Sequence, residues 1–178
     1  MALFTFMDRL KVILARGVRI RVRFGGKKKE QTMDKKLPEL IEFKHPHLKA
    51  ELYSEKLDNR LLVILYALAG FIYFNFKKTL IITEIFRTQE LQDLYYRDNA
   101  EYKIKKWYSV HQYGRGIDCS IYYFTEDEQI KILEFLTSRF EYSEFNDYKV
   151  GLIHKVSDFG THLHLQVDGL HLYTRILK

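Results

Sequence analysis

The chain has 178 residues, 47% of them hydrophobic and 15% aromatic, with a formal net charge of +6. That composition excludes a disordered chain and suits one core-bearing domain with a small appendage. A lone cysteine, Cys119, excludes an intramolecular disulfide and a cysteine-based zinc knuckle.

The charge is uneven: residues 1–50 carry 13 Lys/Arg against 5 Asp/Glu, and residues 51–178 carry 16 against 18. The basic character therefore belongs to the N-terminal third. Leu3, Phe6, Met7, Leu10, Ile13 and Leu14 share one helical face. In RGVRIRVRF, Arg19, Arg21 and Arg23 alternate with Val18, Ile20 and Val22, which predicts a strand with one basic face. Gly25-Gly26 ends it, and KKKEQTMDKK follows as a solvated run. Two readings stand for this third: elements packed on the main domain, or an arm for an anionic surface. No aromatic interleaving of the single-strand-binding kind accompanies the basic residues, which disfavours nucleic acid. MALFTFMDRLKVILARG has no positive region ahead of its apolar stretch, so a cleavable signal peptide is not expected.

Residues 37–50 are expected to be a connector, with His45 and His47 as loop residues around Pro46. Two domains follow from this division: a basic extension with connector over 1–50, and a main domain over 51–178. A helix is predicted from about Leu57 to Phe71, with Leu57, Leu61, Ile64, Leu65, Leu68 and Phe71 on one side. Leu61 to Phe76 is highly apolar but short for a membrane span, so a buried helix running into a strand is expected. A strand over Leu80–Phe86 ends at Arg87, and QELQDLYYR makes a helix. A loop leads past Trp107 to a strand over Ile117–Phe124. Thr125 with Glu128 forms a capping box that opens a helix to about Phe140. Strands follow over Tyr148–His154 and His162–Val167, and Asp168-Gly169 marks a hairpin from which residues 170–176 pair back. The expected fold is α+β: a largely antiparallel sheet with helices packed on one face.

The chemistry lies in two short stretches. In SVHQYGRGIDC, His111 and Asp118 flank Gly114 and Gly116, which let the backbone loop so that both side chains converge. In SDFGTHLHLQV, His162 and His164 are two apart and so point to one face of a strand, and Asp158 precedes them. One metal-sized space could be lined by all five. Cys119 falls on the opposite strand face, as a small core residue. His154 is either a support for the site or a polar strand end. His171 follows the turn and is expected to be exposed. Trp107 and Tyr108 either wall a cleft or fill the core.

S-x-H-x-x-G-R-x-x-D, at Ser109, His111, Gly114, Arg115 and Asp118, resembles the first zinc motif of the lysostaphin / D-Ala-D-Ala metallopeptidase / hedgehog superfamily. D-x-x-x-H-x-H, at Asp158, His162 and His164, resembles its second. The resemblance covers about residues 51–178. Gly116 stands where alanine is usual, and Thr161 stands where the carboxypeptidase branch has an acid. The resemblance implies one Zn2+ held by His111, Asp118 and His164. It implies Asp158 as base, His162 polarising the carbonyl, and Arg87 contacting substrate or the developing oxyanion. Arg87 as a structural ion-pair partner is the alternative. The implied activity is hydrolysis of bacterial cell-wall peptides, of carboxypeptidase, dipeptidase or endopeptidase type. The partner is then a wall-derived peptide, with residues 16–36 available to an anionic polymer or membrane surface. Without a signal, such an enzyme works in the cytoplasm or reaches the wall through lysis or a phage particle. A catalytically weak or inactive, zinc-bearing binding module of hedgehog-like type is the competing reading, and a nucleic-acid or membrane adaptor the third.

Overall fold

The computed structural model describes residues 39–142, 148–155 and 160–169, and the backbone of 175–176. All lie within one unit, Glu39–Lys178. The basic extension, Asp158 and His171 lie outside the described residues.

The fold is α+β. Five strands form a mixed sheet in the order β1-β2-β3-β6-β5: β1 Ile41–Phe43, β2 Leu80–Glu84, β3 Gly116–Ser120, β5 Gly151–Lys155 and β6 Thr161–Gln166. The pairings among β2, β3, β6 and β5 are antiparallel, but β1 runs parallel to β2. The sheet is thus largely antiparallel, as expected, and mixed only through its edge strand β1. The cause is a crossover: two helices, α1 His47–Leu52 and α2 Asn59–Phe76, separate β1 from β2 and bring the chain back in the same direction. The part of the expected connector that is described, residues 39–50, is therefore more than a connector, since it supplies an edge strand and the start of a helix.

Helix α2 begins at Asp58, whose carboxylate accepts a hydrogen bond from the Arg60 amide at 3.0 Å. Leu61, Ile64, Leu65, Leu68 and Ile72 recur at helical spacing and are all buried. Each such side chain contributes about 1.5–3 kcal/mol when removed from water. This helix is long and apolar enough to cross a membrane by length and composition, yet its apolar stripe here packs into the core. Helices α3 Gln89–Tyr95 and α4 Ala100–Ile104 follow β2. Helix α5 Glu126–Arg139 carries the expected Thr125/Glu128 capping box. Gly151 lies so close to α5 that a Cβ there would meet Leu136 Cδ1 at 2.3 Å.

The alternation of the strands sorts the sheet into two faces. Ile82, Cys119, Leu163 and Ile153 form one row across four strands, with Ile117 and Leu165 beside it. This row joins the core with α2 and α5, and Cys119 is fully buried there. The opposite face carries the polar residues.

Beyond Asp168-Gly169 the expected hairpin is not what the described residues show. Strand β7, Arg175–Ile176, pairs with β4, Phe140–Glu141, in a separate two-stranded sheet. Both edges of β6 are already occupied, by β3 and β5, so a returning strand has no open edge there.

Candidate metal centre

Two rows of the polar sheet face build the site. Across β2, β3, β6 and β5, Glu84 pairs with Asp118, Asp118 with His164, and His164 with Leu152. One step along, Ser120 pairs with His162, and His162 with His154. Strict alternation from Ile82 would turn Glu84 toward the core. A bulge between Ile82 and Glu84 instead sets Glu84 opposite Asp118.

His111 comes from outside the sheet, on a 3-10 turn over Val110–Tyr113. Ser109 and Gln112 cap that turn reciprocally, and Gly114 ends it with φ 66°. A Cβ at Gly114 would collide with the Lys56 carbonyl oxygen at 2.0 Å, so glycine is required by both conformation and space. Gly116 acts differently from the freedom expected of it. Its φ is ordinary, but a Cβ would lie 2.8 Å from Val110 Cγ2 and 3.2 Å from Cδ2 and Nε2 of His111. Its missing side chain is the space into which the imidazole settles.

The His111 ring is oriented by the backbone. Its Nδ1 lies 2.8 Å from the Ile85 carbonyl oxygen. A carbonyl only accepts, so Nδ1 carries a proton and Nε2 is the free position in the neutral ring. That Nε2 lies 3.2 Å from Asp118 Oδ1 and 3.2 Å from His164 Nδ1. His164 Nδ1 is 2.6 Å from the same Asp118 oxygen. The three residues are 1%, 8% and 4% exposed for His111, His164 and Asp118 respectively.

Asp118 is divided in its loyalties: Oδ1 faces the two imidazoles, and Oδ2 accepts from Arg87 at 3.3 Å. Arg87 is buried and fully engaged, donating to both Glu84 oxygens and, at 3.0 Å, to Gln92 Oε1. Its guanidinium also lies over the Tyr95 ring at 4.7 Å. Arg87 thus bridges Glu84 and Asp118 through ion pairs. His162 Nε2 is 3.5 Å from Asp118 Oδ2, and its side chain is 14% exposed, at the outer edge of the group. His154 packs on it, with ring centroids 4.6 Å apart.

The donor set suits a zinc-type cation. Donors held at about 2.0–2.2 Å by a tetrahedral ion lie about 3.3–3.6 Å apart. Two of the three separations are close to this, and the shortest has only to open. The ligating atoms of His111, Asp118 and His164 all lie within 4.8 Å of one another. Without a cation, protons must fill the same space. Burial disfavours the His111 imidazolium, but the Asp118 charge and hydrogen bond outweigh burial and raise its pKa. Burial alone would raise the Asp118 pKa; the charge of His111 and the hydrogen bonds from His111 and His164 instead hold it well below the usual carboxylate range. For His164 burial prevails and the pKa is lowered.

The structure therefore brings together His111, Asp118, His162 and His164, with Arg87 behind Asp118. Glu84 and the Ile85 carbonyl were missed by sequence reasoning. Glu84 precedes Arg87 by three residues, but nothing in TEIFR announces a bulge. His45 and His47 stack on each other, exposed, at the start of α1. Trp107 packs edge-on against Tyr96 and Tyr102, and Tyr108 is exposed, so neither belongs to the core. A groove of about 780 Å³ between α2 and α5, lined by residues such as Phe71, Phe76 and Phe135, holds none of these residues. No protein-family model, curated protein or solved structure matches the chain.

Proposed function

We propose that this chain is a zinc-dependent peptidase that hydrolyses peptides of the bacterial cell wall. The observation that carries the reading is the convergence of His111, Asp118 and His164, on a 3-10 turn and two adjacent strands, onto one small space. Those residues are the ones that the two motifs nominate as ligands. A zinc ion held there supplies a Lewis acid and makes water a usable nucleophile at neutral pH.

The chain's own groups do the rest. The Ile85 carbonyl fixes the His111 ring, and Arg87 with Glu84 fixes Asp118, so the ligands are oriented in advance. Hydrolysis adds hydroxyl to the scissile acyl carbon and a proton to the leaving amine. By resemblance, Asp158 takes the proton from the attacking water and returns it to that amine. By resemblance, His162, at the outer edge of the group, donates to the carbonyl oxygen as charge develops on it. Arg87 acts through Asp118 and is a positioning residue.

A second reading, an inactive zinc-bearing binding module, is favoured by the near-complete burial of the three ligands. An assay with wall-derived peptides at matched zinc occupancy separates the two. The peptidase reading expects cleavage that His111→Ala and His164→Ala abolish. Zinc bound without cleavage of any such peptide would establish the module instead.

A further inference from the structure

Among the described residues, His154 is the one histidine on the sheet that the proposed centre does not use. It sits on β5 directly opposite His162, and His162 is two residues from His164 on the same face of β6. The His154 ring lies 4.6 Å from that of His162 and 5.6 Å from that of His164, centroid to centroid. One nitrogen from each of the three falls within 4.8 Å of the others. His154 Nε2 is buried and has no hydrogen-bond partner among the described residues. A buried nitrogen left in this way, beside two more imidazoles, marks a place for a cation rather than for a chain contact.

We propose that His154, His162 and His164 form a second, outer cation station. It shares His164 with the inner centre and takes a zinc-type divalent ion. Three neutral imidazoles on adjacent strands select zinc, cobalt, nickel or copper over magnesium or calcium, which require oxygen ligands. A neutral imidazole offers one lone pair, so His164 serves one ion at a time. The two stations therefore compete, and the chain holds one ion at either of them. An ion in the outer station is withdrawn from Asp118 and His111. Metal content and activity then become separable properties of the chain. The inference rests on the inner centre only through the shared His164.

Equilibrium dialysis of the full chain against zinc, with cobalt substitution read by its visible spectrum, tests this. Wild type is expected to bind one equivalent. His111→Ala should still bind one, with an altered cobalt spectrum, and His111→Ala with His154→Ala should lose it. Asp118→Asn, which keeps the side-chain shape, gives the same reading if His111→Ala does not fold. Loss of zinc in both single variants overturns the outer station and leaves the inner centre standing. Equal binding by the single and double variants also overturns the outer station. A wild-type chain that binds no zinc overturns both.

Discussion

Asp118 and His164 are paired residues on adjacent strands, and Oδ1 of one lies 2.6 Å from Nδ1 of the other. The carboxylate is thus set by the sheet itself, with Arg87 holding its second oxygen. Removing it leaves Arg87 and His111 buried beside an empty space. Asp118→Ala is expected to destabilise the metal-free chain by about 3 kcal/mol, because a buried charge loses its partner. Urea unfolding in the presence of a chelator checks this.

The two glycines of the first motif make different demands. Gly114→Ala puts a side chain at φ 66° and against the Lys56 carbonyl, so it should cost stability, by about 1–3 kcal/mol, wherever zinc is absent or present. Gly116→Ala presses on Val110 and the His111 ring. It should leave most of the stability and weaken zinc binding, as read by competition with a chelator.

Zinc and a proton compete for the same position on His111. Its pKa is raised above the ordinary value in the metal-free fold, so near neutrality zinc must displace a proton there. Zinc affinity should therefore fall as pH is lowered through neutrality. Calorimetric titration in buffers of different ionisation enthalpy should show proton release on binding.

His154 titrates in the opposite sense. Burial, with the charges of His162 and His164, pushes its pKa down to about 4. A depressed histidine pKa means that the unfolded chain takes up the proton first as pH falls. Stability is then lost between about 6.5 and 4, and that loss should be smaller in His154→Gln. Unfolding midpoints measured across that range, without metal, decide it.

The polar residues of the site were legible because their chemistry is rare and their spacing short. His162 and His164 had to share a face if the segment was a strand, and Cys119 had to oppose Asp118. The capping box at Thr125 and the apolar stripe of α2 were equally local signals. What escaped was non-local. The parallel edge strand β1 has only three residues and no alternation long enough to announce it. The pairing of β7 with β4 depended on β6 having no open edge, which no segment of sequence carries by itself. Glu84 reached the site through a bulge, and the His111 tautomer through a backbone carbonyl twenty-six residues away.

The most direct measurement is an anomalous-scattering map of crystals of the full chain grown with zinc. A single peak about 2.0–2.2 Å from His111 Nε2, an Asp118 oxygen and His164 Nδ1 is the expected result. Density confined to His154 and His162, or none near His111, would contradict the proposed centre.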